Sequence, residues 1–319
     1  MLLQAFLFVV GLLLLYFGAE WLIKGAASIA LQYGIRPLIV GLTVVALGTS
    51  MPEFVVNFFA ALTGEESLAL GNIVGSNICN IALILGTTAL ILPLAVSPAT
   101  LKKEYPIMMA VLFLFYALAL DGVIGRADGL LLVAGLAAFL LYLIIDAKRH
   151  KPPPMPVETS AVRPEDVESP FWKKAALVVF GIVVLAGGAR LMVYAAVNVA
   201  QFLGIDPVVI GLTVVAIGTS LPELAASVVS ALKQEADISV GNVLGSNMLN
   251  VLFVVGFVSL YQPLHVDATS LKIHFPVMLG VGLVLFPMAW TKFTITRVEG
   301  GVLMAGFSAY MLYLALPYL

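Results

Sequence analysis

Two glutamates in otherwise apolar sequence are the residues of this chain best suited to chemistry. Glu53 and Glu223 each end the pattern Gly-Thr-Ser-x-Pro-Glu. Because proline has no N–H, Pro52 leaves the carbonyl of Gly48 without its helical partner, and Pro222 repeats this in the second copy. Hydroxyl groups precede the prolines in the same turn: Thr49, Ser50, Thr219 and Ser220. Carboxylate, hydroxyl and freed carbonyl oxygens together form a ligand set that suits a hard cation.

A second polar pattern, Gly-Asn-x-x-Gly-Ser-Asn-x-x-Asn, also occurs twice, beginning at Gly71 and Gly241. Its polar residues recur every four positions, which places them on one face of a helix. They are Asn72, Ser76 and Asn80 in the first copy and Asn242, Ser246 and Asn250 in the second. Cys79 is the single cysteine, so a zinc or copper site is not expected. Two pooled carboxylates carry a charge of -2, which one Ca²⁺, two Na⁺ or two protons would cancel.

The composition indicates that lipid is the solvent for most of the chain. Of 319 residues, 61% are hydrophobic and 11% are charged, and the mean hydropathy is +1.09. Soluble domains have about 25% charged residues. A net charge of -2 gives no indication of nucleic-acid binding. With roughly 20 apolar residues per span, the sequence predicts an all-α membrane protein with ten transmembrane helices. These helices start near Leu2, Pro37, Leu68, Lys103, Asp128, Pro170, Pro207, Ile238, Leu271 and Val298.

The two halves of the chain are copies of each other. A shift of 170 positions aligns Pro37–Val96 with Pro207–Val266 without a gap, and 26 of the 60 positions are identical. We therefore predict a first five-helix repeat over 1–147, a polar, flexible linker over 148–169, and a second repeat over 170–319. An odd number of crossings would invert the second copy, as in transporters that alternate access around a central site. Helices 2, 3, 7 and 8 carry the motifs and are predicted to be broken helices around that site.

The loop charges predict the orientation. With an extracytoplasmic N-terminus, twelve Lys and Arg residues fall in cytoplasmic loops and only Arg126 and Lys272 fall outside. This bias follows the positive-inside rule. It predicts a multi-pass protein of the cell membrane with both termini extracytoplasmic and the linker cytoplasmic.

The duplicated motifs resemble the two alpha-repeats of the cation/calcium exchanger superfamily, and most closely its prokaryotic sodium/calcium exchanger branch. The resemblance covers the whole chain and implies an antiporter that exchanges several Na⁺, typically three, for one Ca²⁺. It implies that Glu53 and Glu223 coordinate calcium and share the sodium sites, and that Thr49 and Thr219 offer backbone carbonyls. It further implies an outer sodium site formed by Ala46, Ser50 and Ser76, and a mirror site formed by Ala216, Ser220 and Ser246. Asn80 and Asn250 would border the central site. Helices 1 and 6 are expected to slide across the rest.

Several alternatives stay open at this point. An H⁺/Ca²⁺ antiporter, or another divalent cation/H⁺ antiporter of the same fold, would use the same carboxylates. Asn250 stands where potassium-dependent relatives carry an acid, which argues against potassium co-transport. No pattern of an intramembrane enzyme or of a channel filter occurs, so we predict a secondary transporter rather than an enzyme. It would need no cofactor and no obligatory protein partner, only its ions and the lipid bilayer. Glu20 and Arg190 occupy equivalent repeat positions, and a structural role is favoured over a gating pair.

Overall fold

The protein is helical almost throughout. The structure, a computed structural model, describes residues 2–149, 164–204 and 216–316. Its helices are α1 Leu2–Tyr33, α2 Pro37–Thr49, α3 Met51–Leu62, α4 (Glu66–Cys79, Asn80–Leu85 and Gly86–Ile91), α5 Pro98–Lys102, α6 Glu104–Ala119, α7 Arg126–Arg149, α8 Pro164–Glu168, α9 Phe171–Phe202, α10 Ala216–Thr219, α11 Leu221–Leu232, α12 (Ala236–Leu249, Asn250–Val255 and Gly256–Tyr261), α13 (Ser270–His274 and Phe275–Lys292) and α14 Arg297–Ala315. The strands are β1 Leu94–Ala95, β2 Val123–Ile124, β3 Leu264–His265 and β4 Thr294–Ile295.

Within the described residues, seven helices are long and apolar enough to cross a membrane, or eight if the bent pair α2–α3 counts as one span. α4 and α12 form the centre of the protein. In the most apolar 18-residue stretch of each, 72% and 83% of the residues are buried, against 22–33% in the other five helices. Two of the ten predicted spans are missing from this set. The fourth is α6, which has only 16 residues, and the start of the seventh lies outside the described residues. The count of ten stays a prediction.

Two of the four predicted helix breaks are wrong. α4 and α12 run on without interruption, and each contains a π-helical turn, Asn80–Leu85 and Asn250–Val255. Neither segment contains a proline, so each helix continues, with one wider turn in place of a break. The predicted linker also ends in structure, because α8 forms within it and Asp166 makes an ion pair with Lys24 at 2.9 Å. Residues 150–163 lie outside the described part of the chain.

The internal duplication is visible in the elements themselves. α3 and α11 have the same length and are offset by 170 residues, and so are the π turns of α4 and α12. The repeats also approach each other closely where α2 packs on α12. A Cβ added at Gly41 would lie 2.6 Å from the carbonyl of Ile238, and one added at Gly241 would lie 2.6 Å from the carbonyl of Leu38. Glycines on both helices therefore allow the first repeat to contact the second backbone to backbone.

The short strands join the repeats to each other. β1 pairs with β4 and β2 pairs with β3, both antiparallel. β1 and β3 are equivalent by the 170-residue offset, and each of them pairs with a strand of the other repeat. Each pair ties a loop of one repeat to a loop of the other.

A charged cluster anchors the start of α2. The guanidinium of Arg36 lies 3.2 Å from a Glu104 oxygen and 3.0 Å from an Asp146 oxygen, and Lys103 lies 3.3 Å from the other Asp146 oxygen. The Glu104 side chain is fully buried. Because an unpaired buried carboxylate is strongly unfavourable, this cluster fixes the entry of α2 against α6 and α7.

The packing of α2 against α12 gives a prediction for stability. In Gly241→Ala the new methyl group would meet two backbone atoms, Leu38 O at 2.6 Å and Leu42 N at 3.1 Å, which have little room to retreat. We expect a loss of about 1–3 kcal/mol and a lower melting temperature in detergent. Gly280→Ala on α13 is the matched control, since no described atom lies within 4 Å of its added Cβ. A Gly241→Ala variant that melts with the control would contradict the close approach.

Candidate cation-binding site

Each Gly-Thr-Ser-x-Pro-Glu motif forms a break between two helices. The break after α2 falls at Ser50, with φ -85° and ψ 3°, and the break after α10 falls at Ser220, with φ -88° and ψ 4°. The prolines stand in the first turn of the following helix, where the missing N–H has no helical partner to lose. Glu53 and Glu223 lie in the same first turns. The sequence prediction of broken helices 2 and 7 around these glutamates agrees with the described geometry.

The two breaks meet inside the protein. The side chains of Glu53 and Glu223 are buried, with only 2% and 1% of each residue exposed. Ser50 stands at the N-terminal cap of α3, yet its hydroxyl does not cap that helix. It donates to Glu223 Oε1 at 2.9 Å, across from one repeat to the other. The carboxylate of the second repeat therefore reaches the break of the first.

Several oxygens around the breaks are buried without a hydrogen-bond partner among the described residues. They are Glu53 Oε2, Glu223 Oε2, Ser220 Oγ, Ser76 Oγ, Ser246 Oγ, Asn80 Oδ1 and Asn250 Oδ1. Buried polar atoms without partners are rare in folded proteins, and each needs an explanation such as an ion. All seven belong to residues that the sequence singled out as ligands, and they lie in α3, α4 and α12, and in α11 with its N-terminal cap. Cations bound among them would supply the partners that these oxygens lack.

The π turns place the two amides of this set. Each turn begins at the asparagine itself, Asn80 in α4 and Asn250 in α12. A π turn adds a residue to one turn of helix and shifts the side chains that follow, and such turns are frequent at functional sites. Asn80 and Asn250 are 1% and 2% exposed, so they lie in the interior at equivalent places.

The hydrogen bonds around the threonine and alanine of the motif differ between the two repeats. The Thr49 hydroxyl is buried and donates within 3.3 Å of the Ala46 carbonyl, which also accepts the Ser50 N–H at 2.9 Å. The single hydrogen of this hydroxyl has a second acceptor in reach, Asn242 Oδ1 at 3.2 Å, which is slightly closer than the Ala46 carbonyl. In the second repeat the Ser220 N–H bonds to Ile217 instead. Ala216 begins the described part of α10.

Two polar residues that the sequence analysis missed support the glutamates. Asn57 is fully buried and donates to the backbone carbonyl of Glu53 at 2.7 Å. Ser227 holds the same place in the second repeat and accepts from Asn242 at 2.9 Å. The signal was available, because a lone polar residue follows each glutamate by four positions, one helical turn, in apolar sequence.

The donor set is composed of oxygen and fits Ca²⁺ or Na⁺. No group of three or more His, Cys, Asp and Glu residues that could hold a metal occurs in residues 2–149, 164–204 and 216–316. The site instead combines two carboxylates with neutral oxygens. Such mixed oxygen ligands suit hard cations, whereas zinc and copper favour nitrogen and sulfur.

Comparisons with known proteins agree with this chemistry. The profile of the sodium/calcium exchanger protein family matches residues 3–145 and 173–316, which is most of the chain. The chain belongs to the sodium/calcium exchanger family. The exchanger is 35% identical over 324 residues to the inner membrane protein YrbG of Escherichia coli, covering 100% of this chain and 98% of that protein. It is 31% identical over 336 residues to the sodium/calcium exchanger MaX1 of Methanosarcina acetivorans, covering 95% and 96%.

The fold comparison agrees as well. The exchanger superimposes on the structure of the sodium-calcium exchanger NCX_Mj with a TM-score of 0.82 at 30% sequence identity, covering 98% of this chain and 99% of that one. The family predicted from the duplicated motifs is confirmed. The exchanger is a membrane antiporter with multiple transmembrane helices.

Proposed function

We propose that the exchanger moves Na⁺ and Ca²⁺ in opposite directions by alternating access, three Na⁺ for one Ca²⁺. The observation that carries this is the set of seven buried oxygens without partners among the described residues, at the two helix breaks and on the neighbouring helices α4 and α12. Two carboxylates bring a charge of -2 into a low-dielectric interior, where an empty site is unfavourable. The site is neutral when it holds one Ca²⁺ and carries +1 with three Na⁺. MaX1 and NCX_Mj are themselves named as sodium/calcium exchangers.

The roles of the ligands follow from their chemistry. Glu53 and Glu223 would bind Ca²⁺ directly and share the Na⁺ ions, with the backbone carbonyls of Thr49 and Thr219 beside them. Two outer sodium sites would flank this centre, and Asn80 and Asn250 would border it. The residues of the outer sites are Ala46, Ser50 and Ser76 on one side and Ala216, Ser220 and Ser246 on the other. An H⁺/Ca²⁺ antiporter would use the same carboxylates as proton carriers and is the alternative.

The strand pairs support ten crossings. Hydrogen-bonded strands lie on one side of the membrane, so an even number of crossings separates partners. Between β2 and β3 lie α7, α9 and α12, each long enough to span, and the stretch with α10 and α11 must supply a fourth crossing. Between β1 and β4 these four are joined by α6 and α13, and since α13 is long enough to span, α6 crosses too. Adding α1, the α2–α3 pair, α4 and α14 gives ten.

Ten crossings make the repeats inverted. Equivalent positions of 1–147 and 170–319 are then five crossings apart and face opposite sides of the membrane. We place the linker 148–169 in the cytoplasm, both termini outside, and the protein in the cell membrane, as the loop charges indicate. The last turn of α2 ends at the Ser50 break, and carbonyl oxygens freed at such a break favour cations.

The contacts of α1 and α9 differ, which supports alternating access. The two helices pack tightly on each other through Gly18 and Gly181, where added Cβ atoms would meet backbone within 3.0 Å. α1 also packs along α11, whereas its counterpart α9 makes almost no contact with α3. In the proposed orientation, α11 lies in the cytoplasmic half and α3 in the outer half. We therefore assign this arrangement to the outward-open state, with the cytoplasmic route covered by α1.

One ion pair on the covered side has no counterpart on the opposite side among the described residues. Lys233, just after α11, lies 2.5 Å from Glu20 of α1, and this hydrogen bond raises the pKa of Lys233. By the 170-residue offset, Thr63 is the equivalent of Lys233 and Arg190 is the equivalent of Glu20. These two residues cannot form an ion pair. Glu20 thus pairs with Lys233 and not with Arg190, which is exposed. The contact favours the state in which α1 covers the cytoplasmic route.

We expect Lys233→Met to shift the protein toward the cytoplasm-facing state. Both side chains are about a third exposed, so the pair contributes only about 0.2–1 kcal/mol. The apparent KM for Ca²⁺ at the cytoplasmic face should fall about 1.4- to fivefold. Lys292→Met is the control, a lysine of the same predicted side with no ion pair to a described residue. Inside-out vesicles measure this KM, and identical values for both variants would contradict the assigned role.

The stoichiometry is tested by the membrane potential. Three Na⁺ leaving for one Ca²⁺ entering carries one positive charge outward, worth about 2.3 kcal/mol per 100 mV. Sodium-driven Ca²⁺ uptake into proteoliposomes, with the potential set by K⁺ and valinomycin, should speed up when the interior is positive. Uptake that ignores the potential would exclude the 3:1 ratio. Uptake that follows an imposed pH gradient without sodium would support the proton alternative.

A further inference from the structure

Four polar residues outside the predicted ligand set join the two helix breaks. Asn242 and Asn72 are equivalent residues on the central helices α12 and α4, and Ser227 and Asn57 are equivalent residues on α11 and α3. By sequence, Asn72 and Asn242 share a helix face with the ligands. Their amides, however, are engaged with the protein itself.

Asn242 connects both breaks directly. It is fully buried. Its Oδ1 accepts the Thr49 hydroxyl at 3.2 Å, and its Nδ2 donates to the Glu223 backbone carbonyl at 3.2 Å and to the Ser227 hydroxyl at 2.9 Å. Thr49 is the last residue of α2, and Glu223 lies in the first turn of α11. A single amide therefore spans from one repeat's break to the other's.

The equivalent link in the first repeat is longer by one side chain. Asn72 Nδ2 donates to Asn57 Oδ1 at 3.2 Å, and Asn57 Nδ2 donates to the Glu53 carbonyl at 2.7 Å. The Thr219 hydroxyl donates to Asn72 Oδ1 at 3.5 Å, the limit of a hydrogen bond. Asn72 thus reaches Glu53 only through Asn57, because the longer Asn57 side chain stands where the second repeat has Ser227.

We propose that Asn242 is a positioning residue that couples the two helix breaks, so that a cation bound at one break aligns the ligands of the other. Both hydrogens of its amide nitrogen and one lone pair of its oxygen are used by the protein, so it acts through Thr49 and Glu223 rather than on the ion. A buried amide that lost these partners would be left unsatisfied, which keeps the link intact. Asn72 and Asn57 form the weaker counterpart, since the Thr219 bond is long.

The proposal rests on the proposed function in one respect, that Ca²⁺ is the cargo. Thr49→Val removes the hydroxyl at nearly constant shape and keeps the backbone carbonyl. Asn242→Leu removes the amide at similar volume. Each should raise the apparent KM for Ca²⁺ about tenfold with a small change in Vmax, as expected when a single buried hydrogen-bond partner is lost. Thr49→Ser, which retains the hydroxyl, should recover most of the loss of Thr49→Val.

The decisive measurement is the double-mutant cycle of Thr49→Val and Asn242→Leu. If the two act as one unit, the double variant should match the worse single variant, whereas independent roles would multiply the losses to about a hundredfold. Multiplied losses, or a fall in Vmax at unchanged KM, would overturn the proposal. Ser230→Ala on α11 is the control, because that hydroxyl bonds only to its own helix at 2.7 and 3.1 Å; its KM should stay at the wild-type value.

Failure of the proposed function can be distinguished from failure of this coupling. Cation-induced thermal stabilisation of the purified variants, with Ca²⁺, Na⁺ and acid tested separately, measures binding without transport. It also reports whether each variant is folded. If wild type binds a cation other than Ca²⁺, the cycle is read with that cation, and non-additivity there still supports the coupling. Additive losses for the cation that binds contradict it whatever is transported.

Discussion

Glu53→Gln and Glu223→Gln should each reduce Ca²⁺ transport at least about a hundredfold, which corresponds to roughly 2.7 kcal/mol. Glutamine keeps the size and one acceptor oxygen of the carboxylate and removes only its charge. The site then offers a charge of -1 to a divalent ion in a region where both residues are at most 2% exposed. An uncompensated charge there is far more costly than at the surface.

The measurement is Ca²⁺ uptake into proteoliposomes, together with the melting temperature of each variant. We expect both variants to stay folded, because burying a neutral amide is easier than burying a carboxylate. Glu65→Gln is the matched control, an exposed acid in the loop before α4, and it should transport like wild type. Full transport by either site variant would remove Glu53 and Glu223 from the ion site.

Arg36→Met should destabilise the protein by about 3–5 kcal/mol, the usual cost of leaving a buried charge without its partner. Arg36 bridges Glu104 and Asp146, whose side chains are 0% and 4% exposed. Lys103 remains beside Asp146 at 3.3 Å, but Glu104 keeps no cation within an ion-pair distance among the described residues. We expect the melting temperature in detergent to fall by on the order of 10 °C.

A compensated variant separates charge from packing. Combining Arg36→Met with Glu104→Gln and Asp146→Asn removes all three charges and should recover most of the lost stability, because buried ion clusters are often replaceable as a set. If the triple variant melts as low as Arg36→Met, the loss comes from the shape of the arginine. A single Arg36→Met variant that melts at the wild-type temperature would contradict the anchoring role.

The parts of the fold that sequence could predict are those set by local chemistry. The duplicated motif predicted the break at Ser50 because a proline is tolerated in the first turn of a helix but interrupts a helix interior. Long apolar runs predicted the spans, because the length of an apolar run decides whether it can cross the membrane. The buried oxygens could be predicted as candidate ligands because polar residues in lipid need a function or a partner.

The remainder depends on contacts between distant residues. The π turns at Asn80 and Asn250 have no proline or other local signal, so the sequence suggested breaks where the helices continue. Arg36 is one of the twelve predicted cytoplasmic charges, and its partners lie 68 and 110 residues away. Lys233 is another of the twelve, and it contacts Glu20 across 213 residues. Such pairs follow from packing, which a single sequence does not reveal.

The central claim is that sodium drives calcium through this site. The most direct measurement is uptake of radioactive Ca²⁺ by liposomes that contain the purified protein and are loaded with Na⁺, with pH held equal on both sides. We expect uptake that requires the outward sodium gradient and collapses when the internal Na⁺ is replaced by K⁺ or choline. Uptake that continues unchanged after that replacement would contradict sodium/calcium exchange.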